Sequence, residues 1–166
     1  MDFFLADSSV TDSLGRALAR SIPSAVLTGA VMYLRGDLGA GKTSCVRSLL
    51  RALGADGPVR SPTYTLVETY NLASLTCVHV DLYRIQSLTE VDELGLRDVI
   101  GPGCLLLVEW PERGAAALPT ADLDLSLLYA GEGRRVCLQA KSPLGAEWLV
   151  NLGHDTSLTP YVSNLT

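Results

Sequence analysis

The order of apolar and polar positions predicts a strand, a glycine-rich loop and a helix near the end of the first quarter of the chain. Residues 25–34 read AVLTGAVMYL, an apolar run with β-branched and aromatic members that is typical of a strand buried on both faces. Beyond Thr43, apolar residues recur at helical spacing, and Gly54 supplies a stop signal. The apolar stripe consists of Cys45, Val46, Leu49, Leu50 and Leu53. A loop with three glycines separates the strand from the helix.

The remaining pattern predicts further strands and helices. An amphipathic helix is expected over residues 12–21, with Thr11 as its candidate cap. Strands are expected over residues 65–70, 77–82 and 104–108, with a helical stretch over residues 89–96. Residues 122–140 read DLDLSLLYAGEGRRVCLQA, which predicts two strands joined by a Gly-Glu-Gly turn, a hairpin.

The glycine-rich loop carries the first candidate chemistry. Residues 36–43 read GDLGAGKT and match the phosphate-binding P-loop pattern G-x-x-x-x-G-K-S/T. Glycines let successive N–H groups turn toward one anion, and the start of the following helix adds its positive dipole end. Lys42 would then reach the β and γ phosphates, and the Thr43 hydroxyl would bind Mg²⁺. The alternative is an ordinary glycine turn. The predicted phosphate-binding residues are Asp37, Leu38, Gly39, Ala40, Gly41, Lys42, Thr43 and Ser44.

These elements together predict an α/β fold with a P-loop nucleotide-binding sheet flanked by helices. The sheet is expected to be mostly parallel, with an antiparallel C-terminal hairpin. We predict a single P-loop nucleotide-binding domain over residues 1–153 and a loosely held polar tail over residues 154–166.

Composition narrows the classes of partner. The chain has 166 residues and a net charge of −5, which makes direct binding of tRNA or DNA unexpected unless its eleven arginines cluster on one face. No apolar run is long enough to span a bilayer, and the start MDFFLADSSV lacks the basic region of a signal peptide, so we expect a cytoplasmic protein with no membrane contact. The four scattered cysteines are expected to be buried thiols. His79 and His154 are too isolated to predict a metal site.

Two acidic residues that follow apolar strands are candidate partners of the loop. Mg²⁺ prefers oxygen ligands and usually takes one or two carboxylates besides phosphates, and ligands of open α/β sheets gather at the carboxyl ends of strands. Asp81 ends the apolar alternation in CVHVDLYR, and Glu109 follows the buried run in CLLLVEWPE. The alternative for Asp81 is a solvated acid at a strand end, and Trp110 could simply belong to the core.

A third segment, SPTYTLV at residues 61–67, lies where many P-loop proteins keep a switch that senses the γ-phosphate. Pro62 biases Ser61 away from helix, and Thr63 and Tyr64 provide hydroxyl groups just before a strand. A plain entry from loop to strand is an equally good interpretation of these residues alone.

The motifs GDLGAGKT, SPTYTLV, HVDLYR and LVEWPE, in this order and at these separations, resemble the bacterial TsaE family, formerly called YjeE. The similarity spans residues 11–140. The resemblance implies an ATPase that uses ATP and Mg²⁺ and acts with the proteins TsaD and TsaB. That machinery attaches threonylcarbamoyl to the adenosine beside the tRNA anticodon, and the transfer itself belongs to TsaD. Contact with tRNA is therefore expected only through the complex.

The resemblance also implies roles for individual residues. Lys42, Asp81 and Glu109 would be catalytic, and Thr43, Asp81 and Glu109 would hold Mg²⁺. The switch would comprise Ser61, Pro62, Thr63, Tyr64 and Trp110. Thr11 and Arg134 would contact the base, and Ser44 replaces the second threonine that the family often has.

Two other functions remain open from the sequence. A small-molecule kinase shares the P-loop and the acids, but it usually has an arginine-rich lid, and no such insertion is evident. A nucleotide-gated binding protein without turnover is the second alternative, because no switch glutamine is present to orient the attacking water.

Overall fold

A seven-stranded mixed sheet forms the centre of the molecule. The computed structural model describes residues 1–24 and 29–162, and within these the strand order is β1-β7-β6-β2-β5-β4-β3. The strands are β1 (Asp2–Leu5), β2 (Ala30–Arg35), β3 (Val67–Asn71), β4 (Thr76–Asp81), β5 (Cys104–Glu109), β6 (Leu123–Ala130) and β7 (Gly133–Ala140). The first four residues of the strand predicted over 25–34 lie outside the described residues.

Parallel pairing at the centre of the sheet fixes where the strand ends meet. Strand β2 pairs in parallel with β5 and β6, and β4 pairs in parallel with β5. The pairs β6–β7, β1–β7 and β3–β4 are antiparallel. The structure thus confirms an α/β fold with a parallel core and an antiparallel C-terminal hairpin. Because β2, β4 and β5 run the same way, the loop after β2 and the ends of β4 and β5 lie at one edge of the sheet.

Helices cover both faces of the sheet. They are α1 (Ser8–Arg20), α2 (Lys42–Ala52), α3 (Leu88–Glu93), α4 (Leu96–Val99) and α5 (Pro143–Gly153). The larger core cluster lies on the face covered by α1, α2 and α5, and it includes Leu18, Leu49, Leu107 and Trp148. The second cluster lies on the opposite face, where Val80 and Leu106 pack with residues of α3 and α4. Within the described residues, no helix is long and apolar enough to cross a membrane.

Two predictions about the ends of the domain are wrong. Helix α1 begins at Ser8 rather than residue 12, and its cap is Asp7, whose side chain accepts hydrogen bonds from the backbone N–H groups of Ser9 and Val10. Thr11 therefore lies inside the helix, where it is buried.

The predicted loosely held tail is packed over residues 154–162. A 3₁₀ turn over Thr156–Tyr161 buries Leu158, and the Arg20 guanidinium pairs with Asp155 at 2.8 Å. The polar composition of the segment does not predict this packing, because it depends on one buried leucine and on one ion pair to a helix that is distant in sequence. Residues 163–166 lie outside the described part of the chain.

Candidate functional site

The loop between β2 and α2 forms the floor of the candidate site. Gly36, Gly39 and Gly41 all have positive φ angles, as the phosphate-loop interpretation expects. At Gly36 a side chain is excluded, since a Cβ atom would lie 2.2 Å from the carbonyl oxygen of Leu127. The loop therefore passes directly against β6, and the amide groups at the start of α2 are held beside the ends of β4 and β5.

Lys42 is buried within this loop. Its residue is only 4% exposed, and its Nζ donates hydrogen bonds to the carbonyl oxygens of Gly36 at 2.6 Å and Asp37 at 3.0 Å. The ammonium also lies 4.0 Å from the centre of the Trp110 ring. Burial lowers the pKa of Lys42, and the nearby carboxylates, chiefly Glu109 and then Asp81, offset part of that effect. A desolvated cation at this position attracts a polyanion strongly.

The Thr43 hydroxyl and the Glu109 carboxylate are in direct contact. The Oγ1 atom of Thr43 lies 2.8 Å from Oε1 and 3.0 Å from Oε2 of Glu109. Glu109 is 2% exposed, and its Oε1 also lies 2.9 Å from Nε2 of His79. The buried acid is thus hydrogen bonded to the phosphate loop and to the neighbouring strand β4, as burial of a carboxylate requires.

Asp81, the second acid of the site, is hydrogen bonded to the predicted switch segment. It pairs in register with Glu109 and is 3% exposed. Its Oδ2 accepts hydrogen bonds from the hydroxyls of Ser61 at 3.0 Å and Thr63 at 2.7 Å, while Oδ1 accepts one from the Tyr83 backbone N–H at 3.0 Å. The segment over residues 61–67 leads into β3, and two of its hydroxyls are bonded to an acid of the site.

The rest of the predicted switch lies around the mouth of the site. Pro62 is buried and its carbonyl accepts the N–H of Leu66, whereas Tyr64 is 82% exposed with the Arg84 guanidinium 4.1 Å from its ring centre. Trp110 takes a positive φ of 59°, a conformation that L side chains rarely adopt. Backbone strain of this kind is often found at functional sites.

Two adjoining cavities extend from the loop. The first has a volume of about 230 Å³ and is lined by Lys42, Thr43, Asp81, Glu109 and Trp110, together with switch residues. The second, of about 190 Å³, shares Gly39, Gly41 and Ser44 with the first and is lined by both predicted base contacts, Thr11 and Arg134. The Arg134 guanidinium lies 4.1 Å from the ring centre of Tyr129. The structure thus brings most of the predicted site residues to two neighbouring cavities, whereas Asp37, Pro62 and Tyr64 line neither of them.

The donor set at the first cavity is suited to a hard cation. Among the described residues there is no cluster of three or more His, Cys, Asp and Glu side chains that would enclose an ion by themselves. The side chains of Thr43, Glu109 and Asp81 offer only oxygen atoms, which fits Mg²⁺, an ion that keeps several waters and takes phosphates as further ligands.

His79 is the site residue that sequence reasoning missed. The two histidines are isolated in the sequence, which argues against a metal site, but His79 stands two positions before Asp81 and so on the same face of β4. That spacing was the signal that could have identified it. Tyr83 was also missed, and its ring centre lies 5.1 Å from that of Trp110, with the two ring planes tilted by 48°.

Comparison with known proteins gives consistent matches. The family model described as "Threonylcarbamoyl adenosine biosynthesis protein TsaE" matches residues 5–137. The protein of Haemophilus influenzae named tRNA threonylcarbamoyladenosine biosynthesis protein TsaE is 44% identical over 115 residues, which are 69% of this chain and 73% of that relative. The Bacillus subtilis protein of the same name is 34% identical over 120 residues, 72% of this chain and 75% of the relative. The crystal structure of YdiB from Bacillus subtilis superimposes with a TM-score of 0.73 at 25% identity and covers 92% of this chain and 93% of that one.

Proposed function

The chain belongs to the TsaE family of threonylcarbamoyl adenosine biosynthesis proteins, and from this premise we propose that it binds and hydrolyses ATP with Mg²⁺. It does so as a component of tRNA threonylcarbamoyladenosine biosynthesis, acting with TsaD and TsaB in the cytoplasm. The transfer of the threonylcarbamoyl group is left to TsaD.

One contact carries the proposal: the Thr43 hydroxyl, at the start of α2, meets the buried Glu109 carboxylate at the end of β5. A P-loop hydroxyl and a strand-end acid are the two protein groups that commonly hold the magnesium ion of a bound nucleotide. Burial supports this role, because Glu109 has almost no access to solvent and yet no arginine or lysine bonds directly to it among the described residues. A buried carboxylate without such a partner is suited to a cation.

The residues of this chain would divide the work as follows. Lys42, whose charge is desolvated, would bind and orient the β and γ phosphates, while Thr43, Glu109 and Asp81 hold the ion. Bound Mg²⁺ would neutralise the charge that develops on the phosphate oxygens. Trp110 packs beside Lys42 and shields it from water, which strengthens the electrostatic interaction with a phosphate.

Asp81 would couple the nucleotide to the switch segment. Its Oδ2 is shared by the hydroxyls of Ser61 and Thr63. A cation or phosphate that competes for this oxygen would change the bonding of both hydroxyls, so the segment would rearrange between the states before and after hydrolysis. Tyr64, which is exposed on the same segment, would present that change to a partner.

The charge of the chain supports a role through protein partners. A net charge of −5 disfavours direct binding of the tRNA backbone, since that affinity comes mainly from lysine and arginine. We therefore expect tRNA to be reached through TsaD and TsaB.

ATP hydrolysis by the purified chain, alone and with TsaD and TsaB, tests the proposal. We expect slow turnover by the isolated protein, acceleration by the two partners together, and no effect of tRNA alone. Rapid hydrolysis by the isolated chain, at a rate that TsaD and TsaB do not change, would refute partner dependence. Transfer of phosphate to a small molecule instead of water would identify a kinase, and binding without turnover in every mixture would leave a nucleotide-gated binding protein.

A further inference from the structure

His79 is a buried imidazole in direct contact with the metal-binding region. It lies on β4 with 0% exposure, and its Nε2 is 2.9 Å from Oε1 of Glu109. Its other ring nitrogen, Nδ1, is buried without a hydrogen-bond partner in the described part of the chain. Leaving a buried polar atom unsatisfied is costly, and an apolar residue would avoid that cost. A gain elsewhere is therefore needed to explain the histidine.

The bonding around Glu109 shows what that gain is. A carboxylate that binds a metal ion must be deprotonated and then only accepts hydrogen bonds, so in the proposed Mg²⁺-bound state the proton between the two groups belongs to Nε2. The Thr43 hydroxyl has one proton and lies almost equally far from both oxygens, at 2.8 and 3.0 Å, so it does not distinguish them. His79 contacts Oε1 alone. His79 is therefore the described side chain whose hydrogen bond distinguishes the two oxygens of Glu109.

We propose that His79 is a positioning residue, whose Nε2–H holds Oε1 of Glu109 so that the carboxylate keeps one orientation toward the Mg²⁺ of bound nucleotide. The inference rests on the proposed function. When a hydrogen-bond partner that orients a metal ligand is removed by mutation, the affinity for the metal typically falls about 10- to 100-fold. His79 does not touch the substrate, and it acts only through Glu109.

Three substitutions separate the hydrogen bond from the bulk of the ring. His79→Phe keeps a ring but has no donor. His79→Gln carries its amide nitrogen about as far from the backbone as Nε2, whereas His79→Asn places it nearer, about where Nδ1 lies. Val78→Ala is the control, because Val78 is buried on the same strand but belongs to the core cluster of the opposite face. It weakens β4 without touching the carboxylate.

The measurement is the Mg²⁺ concentration that gives half of the change in Trp110 fluorescence at saturating ADP, with nucleotide affinity in EDTA measured separately. We expect His79→Phe and His79→Asn to raise the half-saturating Mg²⁺ about 10- to 100-fold while affinity in EDTA is unchanged. His79→Gln should stay within a few-fold of the parent chain, as should Val78→Ala. Thermal unfolding of each variant shows whether it is folded.

Each result decides the role of His79. If His79→Phe fails to fold, the comparison of His79→Gln with His79→Asn tests the role of the hydrogen bond, because both side chains are amides and differ in where the donor lies. Equal Mg²⁺ dependence of the Gln and Asn variants would overturn the inference, as would a His79→Phe protein that is folded and binds Mg²⁺ like the parent. Failure of the proposed function looks different, since the unmodified chain would then show no Mg²⁺-dependent nucleotide signal at all.

Discussion

Replacing Lys42 with methionine should weaken ATP binding far more than it weakens the fold. A charge-assisted hydrogen bond is worth about 1.5 to 3 kcal/mol, so the dissociation constant for Mg-ATP should rise about 10- to 150-fold. Methionine keeps much of the aliphatic stem, which limits any loss of packing.

The structure gives a reason for the small effect on stability. Desolvation is the largest cause acting on the pKa of Lys42, and it lowers that pKa despite the nearby acids, so the folded protein disfavours the charged form. Removing the charge therefore relieves a cost while it removes two hydrogen bonds. The carbonyls that lose them, on Gly36 and Asp37, belong to a partly exposed loop and can bond to water. We expect the free energy of unfolding to change by less than about 1 kcal/mol.

The chain provides a matched control because its only other lysine, Lys141, is exposed and donates to the side chain of Gln139. Lys141→Met changes the net charge equally but leaves the candidate site intact. Calorimetric titration with Mg-ATP and urea unfolding should be run on the parent and both variants. Equal ATP affinity in all three proteins would refute the phosphate role of Lys42, and a large loss of stability confined to Lys42→Met would make it a structural residue.

Four further predictions concern the acids, the tryptophan and the thiols. Glu109→Gln and Asp81→Asn should each reduce Mg²⁺-dependent hydrolysis about 100- to 1,000-fold. In the absence of metal, each variant should keep or raise the melting temperature, because two buried acids paired in register repel each other. A similar thermal collapse of both variants would contradict this. Trp110→Phe should abolish the nucleotide-dependent fluorescence change, whereas Trp148→Phe should preserve it, because Trp148 is buried under α1 with its Nε1 bonded to the Leu18 carbonyl. Burial raises the pKa of Cys45 and Cys77 to about 12, so an aromatic disulfide reagent should label the partly exposed Cys137 first near neutral pH. The raised pKa values of these two thiols contribute stability that is fully present below the usual thiol pKa of 9.0. The free energy of unfolding should therefore fall between pH 9 and about 12, by about 1.4 kcal/mol per pH unit for each thiol. If urea unfolding gave the parent and Cys45→Ala proteins the same dependence of this free energy on pH, the prediction would be wrong.

Local signals predicted the centre of the fold well. The contiguous apolar run before Glu109 is buried throughout β5, and the loop from Gly36 to Thr43 joins a strand to a helix as its pattern indicates. Strand β1 was missed because it has only four residues and is held by β7, more than a hundred residues away. Helix α5 was missed although Ser142 followed by Pro143 is a start signal, since the residues after it have no clear polar face.

The same limit explains what was missed in the site. Lys42, Thr43, Asp81 and Glu109 could be predicted because each belongs to a short motif or follows an apolar run. The contact between His79 and Glu109 depends on the register of two parallel strands that are far apart in sequence: Asp81 lies opposite Glu109, so His79 lies opposite Leu107 and reaches Glu109 diagonally. Spacing along β4 can place His79 on the same face as Asp81, but it does not give the register that brings His79 to Glu109.

The two acids of the site are held by different parts of the chain, which bears on the proposed coupling of nucleotide binding to the switch segment. Glu109 is bonded by Thr43, in the first turn of α2, and by His79 of the neighbouring strand β4. Asp81 is bonded on one oxygen by the hydroxyls of Ser61 and Thr63, which belong to a connecting segment. A cation bound between the acids would therefore contact Glu109, which is bonded to α2 and β4, and Asp81, which is bonded to a connecting segment. Since the loop is the part with fewer buried contacts, it is the part expected to move.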